Sequence, residues 1–398
     1  MLRILIIGGG ITGTAAAAEL ARDGHSVTLL ERHAIAAMAS GRNLGGVRQS
    51  GRDPAELALA RAAIAIWAGL HDMLGVDLEY RRCGNLRLAR TPEEVEIIRK
   101  LVESQRALGL DLSFLPDNTA VREIAPALSR NILAASFCPT DGHANPVTAT
   151  QAFAQHAHRL GASLQEGVGV IAIRVERERV VGVETTTGFI AADRVILAAG
   201  VDTPALLRPL GLALPLSTKI VHVVQSEPLP PSLAPAFGVA NADCAGRQEA
   251  DGRQRFTSGA GDWPGDPAQW SDLGLRPAAD EIRTIVDMVA RVLPAAGTTP
   301  VARTWGGLID LTPDALPVID APGEVAGLVI AAGFSGHGFC LGPVSGLLCA
   351  DLALGRAPRH DVSAFRLDRF RAGAKDCDPG HPRHSGNDHP PATLTLHG

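Results

Sequence analysis

The sequence contains no CxxC pair. Its six cysteines are scattered singly along 398 residues, at Cys83, Cys138, Cys244, Cys340, Cys349 and Cys377. Iron–sulfur and structural zinc sites need cysteines at short, fixed spacings, and small secreted folds need a dense disulfide framework. The scattered pattern therefore argues against a metal centre and against a disulfide-stabilised fold, and we predict no metal-binding residue.

Long apolar runs and blocks of basic residues are also missing. No stretch approaches the roughly 20 apolar residues that a membrane helix needs, so we expect no membrane span. The first residues show neither a basic segment nor a cleavage site, which argues against a signal peptide. The net charge of −5 gives no reason to expect a nucleic-acid partner. We therefore expect a cytoplasmic, globular chain that is long enough for two domains.

The first 31 residues read as a strand, a glycine turn, a helix and a second strand. Residues 2–7 are an apolar run typical of a buried parallel strand. Residues 14–22 are alanine-rich and predict a helix, and residues 26–30 predict the second strand, which ends on Glu31. This order predicts a βαβ unit.

Gly8, Gly10 and Gly13 give this unit the GxGxxG spacing. The first glycine allows a tight turn, the second leaves room for a pyrophosphate, and the third lets the helix approach the strand. The helix N-terminus offers free N–H groups to phosphates, and Glu31 is placed to accept hydrogen bonds from an adenosine ribose. We therefore predict dinucleotide binding. The alternative is a glycine turn in an ordinary βαβ unit.

The chain that follows predicts a second domain. A glycine- and alanine-rich loop at residues 32–50 is long enough to suggest a function. Asp53 caps a helix that begins at Pro54. A strand at 83–89 favours a second domain beginning near Tyr80 over a simple helical insertion.

The remaining elements are predicted from apolar periodicity. Residues 194–200 and 327–333 are apolar strands that end on glycine, which either lets the backbone pass close to a cofactor or only starts a turn. Residues 215–304 are rich in strands and prolines. The other predicted elements are helices at 91–108, 146–160, 279–293 and 342–354, strands at 168–173, 179–184, 220–224 and 255–258, and a loop at 137–145.

Several of these segments together resemble the FAD-dependent amino-acid oxidase family, which includes D-amino-acid, glycine and sarcosine oxidases. They are the GxGxxG turn with Glu31, the loop at 40–48, residues 198–200, residues 305–320 (WGGLIDLTPDALPVID) and residues 332–339 (AGFSGHGF). Within the family, residues 45–49 (GGVRQ) and 141–146 (DGHANP) look most like the β subunits of heteromeric opine oxidases, proline dehydrogenases and sarcosine oxidases.

The resemblance implies an α/β fold, with a Rossmann-type FAD-binding domain and an inserted mixed β-sheet substrate domain. It places residues 1–79, 140–214 and 305–372 in a discontinuous FAD-binding domain, and residues 80–139 and 215–304 in the substrate domain. The last segment, residues 373–398, has few apolar residues and is predicted to be a disordered tail.

The resemblance also implies the cofactor site. We expect FAD to contact Gly8, Gly10, Gly13, Glu31, Arg32, Ser40, Gly45, Gly46, Val170, Gly200, Gly333, Gly336, His337, Gly338 and Phe339. The helix predicted to start near Gly342 would aim its N–H groups at the negative charge of the reduced flavin. A flavin-bonding cysteine of monomeric sarcosine oxidases corresponds to Gly307, so FAD is expected to be non-covalent. The histidine that tethers FMN in heteromeric sarcosine oxidases corresponds to Pro146, which leaves only a non-covalent FMN at a subunit interface.

The family's reaction moves a hydride equivalent from the carbon that bears the amine to flavin N5, and water then hydrolyses the imine. By resemblance, Arg48 is expected to bind the substrate carboxylate as a planar fork. The alternatives are a surface arginine that pairs with Asp53 or Glu56, and Arg52 as the carboxylate ligand instead.

Two further side chains are catalytic candidates by the same resemblance. His337 could contact flavin or substrate, since imidazole donates, accepts and titrates near neutrality. Trp305, with Asp310 near it, could wall the pocket. A structural role is the alternative for His337, and ordinary core packing is the alternative for Trp305.

The expected function follows from these residues and from one departure. Monomeric sarcosine oxidases carry a lysine directly after the GHGF segment that helps oxygen to accept electrons, whereas this chain carries Cys340, which predicts weak direct use of oxygen. We expect a flavin dehydrogenase for a carboxylate-bearing secondary amine, such as an opine, a proline-like or an N-methyl amino acid. Its partner would be a second flavin or iron–sulfur subunit. The rivals are a 2-hydroxy-acid dehydrogenase and a non-catalytic electron-relay subunit.

Overall fold

The computed structural model describes residues 1–371, so the predicted tail at 373–398 lies outside the described residues. The strands of the described residues are β1 Arg3–Ile7, β2 Ser26–Glu31, β3 Gly46–Val47, β4 Asn85–Ala89, β5 Ser113–Leu115, β6 Ala134–Cys138, β7 Gly142–His143, β8 Ser163–Glu166, β9 Val170–Glu176, β10 Arg179–Thr185, β11 Gly188–Ala191, β12 Arg194–Leu197, β13 Ser217–Ser226, β14 Ala236–Val239, β15 Cys244–Gln248, β16 Gln254–Ser258, β17 Gly261–Asp262, β18 Val301–Leu311, β19 Val318–Asp320 and β20 Leu328–Ala332.

The α-helices of the same residues are α1 Ile11–Arg22, α2 Ala39–Arg42, α3 Pro54–Leu74, α4 Pro92–Ala107, α5 Asn118–Ile124, α6 Pro146–Arg159, α7 Thr203–Leu207, α8 Ala279–Val292 and α9 Gly338–Ala353. Short 3-10 helices lie at Gly200–Asp202, Arg208–Leu210, Pro267–Gln269, Pro294–Thr298, Ser363–Phe365 and Leu367–Phe370.

A six-stranded sheet in the order β19-β20-β12-β1-β2-β8 forms the centre of the first layer, and all but β19 run parallel. Side chains alternate between its two faces. Ile4 and Ile6 of β1 pack with residues of α1, α3, α6 and α9, whereas Leu5 and Ile7 pack towards β9 and β10. The expected α/β fold class, with a Rossmann-type FAD-binding layer, is confirmed.

The closest helix pair in this layer is α1 with α9. A Cβ on Gly342 would lie 2.3 Å from Cγ2 of Ile11, and a Cβ on Gly346 would lie 2.6 Å from Cβ of Ala15. These two glycines therefore let the helices touch. The predicted start of the last helix at Gly342 was wrong, because α9 already begins at Gly338. The glycines of this stretch allow close packing instead of ending a loop.

Helix α3 begins as predicted, since Oδ1 of Asp53 accepts a hydrogen bond of 2.8 Å from the backbone N–H of Ala55. It is the one helix of residues 1–371 that is long and apolar enough to cross a membrane by length and composition. The sequence-based expectation that no stretch approaches this length was wrong. The face of α3 that carries Trp67, Leu70 and Leu74 is buried in the core below the six-stranded sheet.

A larger mixed sheet, in the order β17-β13-β16-β15-β14-β4-β6-β5 with β18 paired to β13, lies over the first layer. One face of it packs on α5 and α8. The prediction of a loop at 137–145 was wrong, because β6 extends to Cys138 and β7 pairs with β3. The small residues of β6 (AASFC) gave no alternating pattern that would have revealed a strand.

The two sheets take their strands largely from the two predicted sets of segments. The six-stranded sheet uses residues 3–31, 163–166, 194–197 and 318–332, a separate three-stranded sheet of β9, β10 and β11 uses residues 170–191, and the larger sheet uses residues 85–138 and 217–311. The predicted boundary at 305 falls inside β18, which pairs without a break with β13 from Thr304 to Leu311. The domain division otherwise stays a prediction.

Candidate active site

Two neighbouring cavities lie between the sheets. The turn cavity, of about 300 Å³, follows the GxGxxG turn, and the sheet cavity, of about 370 Å³, lies under the larger sheet. Residues that line both are Gly10, Ala39, Ser40, Ala198, Gly200 and Asp310. The two cavities therefore meet, and they form one elongated space at the carboxyl ends of β1 and β12.

The GxGxxG turn accepts only glycine at two positions. Gly8 has a φ of +112°, and a Cβ there would lie 2.3 Å from the carbonyl oxygen of Ala198. A Cβ on Gly13 would lie 2.1 Å from the carbonyl oxygen of Gly8. Gly10 is the N-cap of α1; the N–H of Ile11 donates to Oγ of Ser40 at 3.0 Å, and the N–H groups that follow in the first turn lie at the cavities. This cradle fits a pyrophosphate.

Glu31 is held at the edge of the turn cavity by two backbone hydrogen bonds. Its Oε2 accepts from the N–H of Gly9 at 2.7 Å, and its Oε1 accepts from the N–H of His33 at 2.7 Å. Arg32 lines the same cavity and pairs with Asp202 at 2.8 Å. Burial raises the pKa of Asp202 to about 6. Carboxylates at this place can accept hydrogen bonds from ribose hydroxyls.

The other end of the space is formed by the N-terminus of α9. Gly336, Gly338 and Phe339 line the sheet cavity there. Their backbone lies at the positive end of the helix, which favours negative charge in the cavity. The predicted cofactor residues that reach a cavity wall are Gly8, Gly10, Glu31, Arg32, Ser40, Gly46, Val170, Gly200, Gly336, Gly338 and Phe339.

Four predicted cofactor residues do not reach the walls of these cavities. Gly13 and Gly45 instead meet backbone, since a Cβ on Gly45 would lie 2.1 Å from the carbonyl oxygen of Ala144. Gly333 turns the chain after β20 with a φ of +70°. His337 points to α3. The three glycines shape the site from behind its walls, because they permit close approaches that a larger residue would block, whereas His337 binds Glu56 there.

Arg48 lines the sheet cavity, and no carboxylate of residues 1–371 lies within 4.0 Å of it. Its Nη1 donates to the carbonyl oxygen of Ser50 at 2.6 Å. Burial, Arg52 and Arg87 lower the pKa of Arg48 to about 9. The alternative pairing with Asp53 or Glu56 is therefore not what the structure contains.

Arg52 instead takes the carboxylate that was considered for Arg48. Its Nη1 lies 3.4 Å from Oε2 of Glu56, and the side chains are 2% and 0% exposed. Arg52 also lines the sheet cavity, but its charge is already compensated. The competition between the two arginines for an anionic ligand favours Arg48.

His337 is the N-cap of α9, and its Nδ1 lies 3.0 Å from Oε2 of Glu56. Burial, together with the charge of Arg52, lowers the pKa of His337 to about 4, although Glu56 acts in the opposite direction. The side chain is 22% exposed but is not part of the cavity wall. His337 is therefore a neutral residue that packs behind the wall formed by Gly336 and Gly338.

Trp305 does not wall the cavity. Its Nε1 donates to the carbonyl oxygen of Arg42 at 2.9 Å, and the guanidinium groups of Arg255 and Arg303 lie over its ring. Gly307, on the same face of β18, does line the cavity. The catalytic role of Trp305 stays a prediction, and in the structure the α2 segment covers its Nε1.

Asp310 lines both cavities, as expected for a residue of the pocket wall. Its Oδ2 accepts a hydrogen bond of 2.6 Å from the N–H of Gly333. Burial raises the pKa of Asp310 to about 6. The residue therefore ties the end of β20 to the junction of the two cavities.

Several polar residues near the sheet cavity were not predicted as parts of the site. Arg87 and Arg247 line it, His143 accepts from Nη1 of Arg247 at 3.0 Å, and Glu56 is buried behind it. Arg87 lies between two leucines in β4, a pattern that also fits a strand with one solvent face. Glu56 lies in the first turn of a helix, where an acid is ordinary.

The geometry therefore defines a dinucleotide-binding oxidoreductase fold with a buried, cationic cavity next to the cofactor turn. The family model described as FAD dependent oxidoreductase (DAO) matches residues 3–352. The chain belongs to this family, and its enzymes bind FAD. The open glycine cradle, the Glu31 carboxylate and the α9 N-terminus fit that cofactor.

Individual relatives agree with this assignment. The chain is 29% identical over 380 residues to 4-methylaminobutanoate oxidase (formaldehyde-forming) of Paenarthrobacter nicotinovorans. The match covers 93% of this chain but only 46% of that protein. It is 27% identical to sarcosine oxidase subunit beta of Rhizobium meliloti, with 93% of this chain and 88% of the relative covered.

Solved structures are similar over nearly the full described chain. L-proline dehydrogenase from P. horikoshii superposes with a TM-score of 0.84 at 28% identity, covering 93% of this chain and 97% of that one. Glycine oxidase from Geobacillus kaustophilus superposes with a TM-score of 0.86 at 26% identity, covering 93% and 99%. The family and the fold are thus shown independently of the cavity.

Proposed function

We propose that this chain oxidises the C–N bond of an amino acid that carries a secondary amine, such as an opine, a proline-like or an N-methyl amino acid. The observation that carries the proposal is Arg48, a half-buried cation without a carboxylate partner in residues 1–371, in a cavity that continues into the FAD cradle. Relatives named for methylaminobutanoate, sarcosine and proline support an amine as the reacting group.

Binding and orientation are the work of the cavity residues. Arg48 would take the substrate carboxylate in a bidentate pair, which fixes the distance and the orientation of the adjacent carbon. Gly336 and Gly338 would form the cavity wall near that carbon, and the neutral His337 packs behind this wall against Glu56. FAD supplies the acceptor of the hydride equivalent when it is bound.

The N-terminus of α9 would stabilise the charge that the reaction delivers to the cofactor. Its first N–H groups have no partner within the helix, and Gly338 and Phe339 place them at the cavity wall. Backbone donors that are already in place need no reorganisation during the reaction. Gly307 carries no side chain that could bond a flavin, which supports non-covalent FAD.

Cys340 supports a dehydrogenase over an oxygen-using oxidase. The side chain is 1% exposed, its Sγ donates to the carbonyl oxygen of Arg48 at 3.4 Å, and burial raises the pKa of this thiol. It therefore stays neutral and adds no positive charge beside the cavity. Electrons would leave to a partner subunit, as the relation to a sarcosine oxidase β subunit suggests. The partner, an interface FMN and the cytoplasmic location stay predictions.

A dye-linked screen tests the proposal. Purified holoenzyme is given an artificial electron acceptor and a panel of opines, proline-like acids, N-methyl amino acids and 2-hydroxy acids. We expect turnover with at least one secondary amine and none with the hydroxy acids. Turnover only with hydroxy acids would overturn the proposal, and no turnover with any substrate, even with neighbouring subunits added, would favour an electron-relay subunit.

A further inference from the structure

Arg87 is placed in the sheet cavity by the alternation of β4. Leu86 and Leu88 are wholly buried on the opposite face of the larger sheet, against α5 and α8. Asn85 and Arg87 alternate with the two leucines and therefore face the other way, and both line the cavity, which Leu86 also borders. An arginine on a half-buried strand, away from bulk solvent, needs a compensating partner.

The neighbouring strands leave room around Arg87. Ser136 of β6 is its partner in the register on one side, and Gly238 of β14 is its partner on the other side. Both are small, and both line the same cavity. The guanidinium group is therefore flanked by open space rather than by bulky side chains.

The protein provides no anion for this guanidinium. The Nε of Arg87 donates a long hydrogen bond of 3.4 Å to the carbonyl oxygen of Val239. Within residues 1–371, no carboxylate lies within 4.0 Å of it. Burial, with a further contribution from Arg52, lowers the pKa of Arg87. The site thus holds a half-buried cation that no carboxylate of residues 1–371 compensates, and an anionic ligand would offset the cost of its burial.

The other arginines of the cavity wall are compensated, except Arg48. Three of them form ion pairs with a carboxylate: Arg42 with Asp272, Arg52 with Glu56, and Arg247 with Glu249. Arg48 and Arg87 remain. They lie against one backbone position, since a Cβ on Gly51 would be 3.2 Å from Nη1 of Arg48 and 2.6 Å from Nη1 of Arg87.

The nearest buried acid does not fill this gap. Both oxygens of Asp141 are taken by hydrogen bonds, from the backbone N–H of Gln49 at 2.8 Å and from the backbone and hydroxyl of Ser50. Two unpaired guanidinium groups beside each other would favour a ligand with two negative charges over a ligand with one.

We propose that Arg87 is a second anion-binding residue, which selects substrates that carry two carboxylates, one held by Arg48 and the other by Arg87. This inference rests on the proposed function for Arg48 and for the adjoining FAD. Among secondary amines, it favours those in which both carbon substituents of the nitrogen carry a carboxylate. A proline-like or N-methyl amino acid, with a single carboxylate, would leave Arg87 uncompensated.

The test compares two ligands that differ by one carboxylate and are not oxidised. Glutarate and butyrate are titrated into holoenzyme, and binding is followed by calorimetry and by the flavin absorbance. We expect wild type to bind glutarate at least tenfold more tightly than butyrate. Arg87→Met should weaken glutarate about 10- to 100-fold and butyrate less than about threefold, because each charged hydrogen bond contributes on that scale.

Two further variants make the result decisive. Arg87→Lys keeps the charge and should bind glutarate more tightly than Arg87→Met does. This comparison separates the loss of an anion contact from a general effect on folding. Arg99→Met removes an exposed arginine of α4 and should change neither ligand. Equal weakening of glutarate and butyrate in Arg87→Met would mean that both arginines share one carboxylate, and no weakening would mean that Arg87 does not bind ligand. Either result overturns the inference.

Failure of the proposed function would be visible separately. The binding experiment needs no turnover, whereas oxidation is measured with iminodiacetate against sarcosine in the dye-linked assay. Selective glutarate binding without oxidation of any amine would remove the proposed reaction and keep the anion site. Oxidation of sarcosine as readily as iminodiacetate, with no glutarate preference, would keep the reaction and remove the role of Arg87.

Discussion

Nδ1 of His337 lies 3.0 Å from the carboxylate of Glu56, a side chain with no solvent exposure. Because burial and Arg52 hold the pKa of His337 at about 4, the imidazole is neutral at pH 7 and donates its Nδ1 hydrogen to the carboxylate. Its Nε2 then has only an acceptor lone pair. Glu56 thus fixes the tautomer of the N-cap residue of α9, whereas burial and Arg52 keep its imidazole neutral.

Glu56→Gln tests whether this carboxylate is also needed by Arg52. The change keeps the side-chain volume but leaves a buried guanidinium uncompensated, so the free energy of unfolding should fall by about 3–5 kcal/mol. Denaturant unfolding measures this, with the exposed Glu103→Gln as a control. The double variant Arg52→Met/Glu56→Gln should recover part of the loss. If the two single effects simply add, Glu56 and Arg52 do not depend on each other.

Arg48→Lys tests the carboxylate site. Lysine keeps the charge but loses the planar fork, so KM for carboxylate substrates should rise about tenfold or more while kcat changes less. Steady-state kinetics with the dye acceptor measures both, and Arg99→Lys on the outer face of α4 serves as the control. An unchanged KM would remove Arg48 from the substrate site.

Cys340→Lys tests the basis of the expected weak oxygen use. A cation at this position, next to the cavity, should raise the rate at which oxygen reoxidises the reduced enzyme, because it would stabilise negative charge that develops on oxygen. Stopped-flow mixing of reduced enzyme with oxygenated buffer measures the rate. Cys340→Met gives a side chain of similar reach without charge and should not accelerate it. An equal rate in both variants would place the control of oxygen elsewhere.

His143→Gln tests a buried histidine that the sequence did not reveal. Burial and the charges of Arg247 and Arg81 lower the pKa of His143 to about 3. Between that value and its unfolded pKa of about 6.5, only the unfolded chain holds the proton, so folding stability falls as the pH drops. The loss amounts to about 2 kcal/mol at pH 5.

The stability of the glutamine variant should lack this pH dependence, because an amide does not titrate. Its oxygen can still accept the hydrogen bond from Arg247. The difference in unfolding free energy between wild type and His143→Gln should therefore shrink by about 2 kcal/mol from pH 7 to pH 5. Exposed His71→Gln is the matched control. A difference that stays constant between the two pH values would contradict a neutral, buried His143.

The nucleotide end of the site could be predicted from sequence because its chemistry depends on local order. Gly8, Gly13 and Glu31 act within one βαβ unit, where spacing along the chain fixes spacing in the structure. Four of the five parallel strands were predicted from their apolar runs, whereas β8 at Ser163–Glu166 was not. Gly336 and Gly338 were identified by resemblance, although the helix that begins at Gly338 was predicted to begin at Gly342.

The substrate end could not be predicted in this way, because it is assembled from distant segments. Arg87 becomes a cavity residue only through the pairing of β4 with β6 and β14. Glu56 pairs with Arg52 and not with Arg48, and this pairing depends on the direction in which the chain enters α3. The contact of Trp305 with α2 likewise joins segments far apart in the sequence.

Anaerobic reduction of the bound flavin by a single addition of substrate tests the central claim most directly. The account predicts that a secondary amine with carboxylates bleaches the flavin absorbance in a rapid phase, that 2-hydroxy acids do not, and that Arg48→Lys slows or weakens this phase at low substrate. A flavin that is bleached only by hydroxy acids, or by no member of the panel while the protein holds FAD, would contradict it.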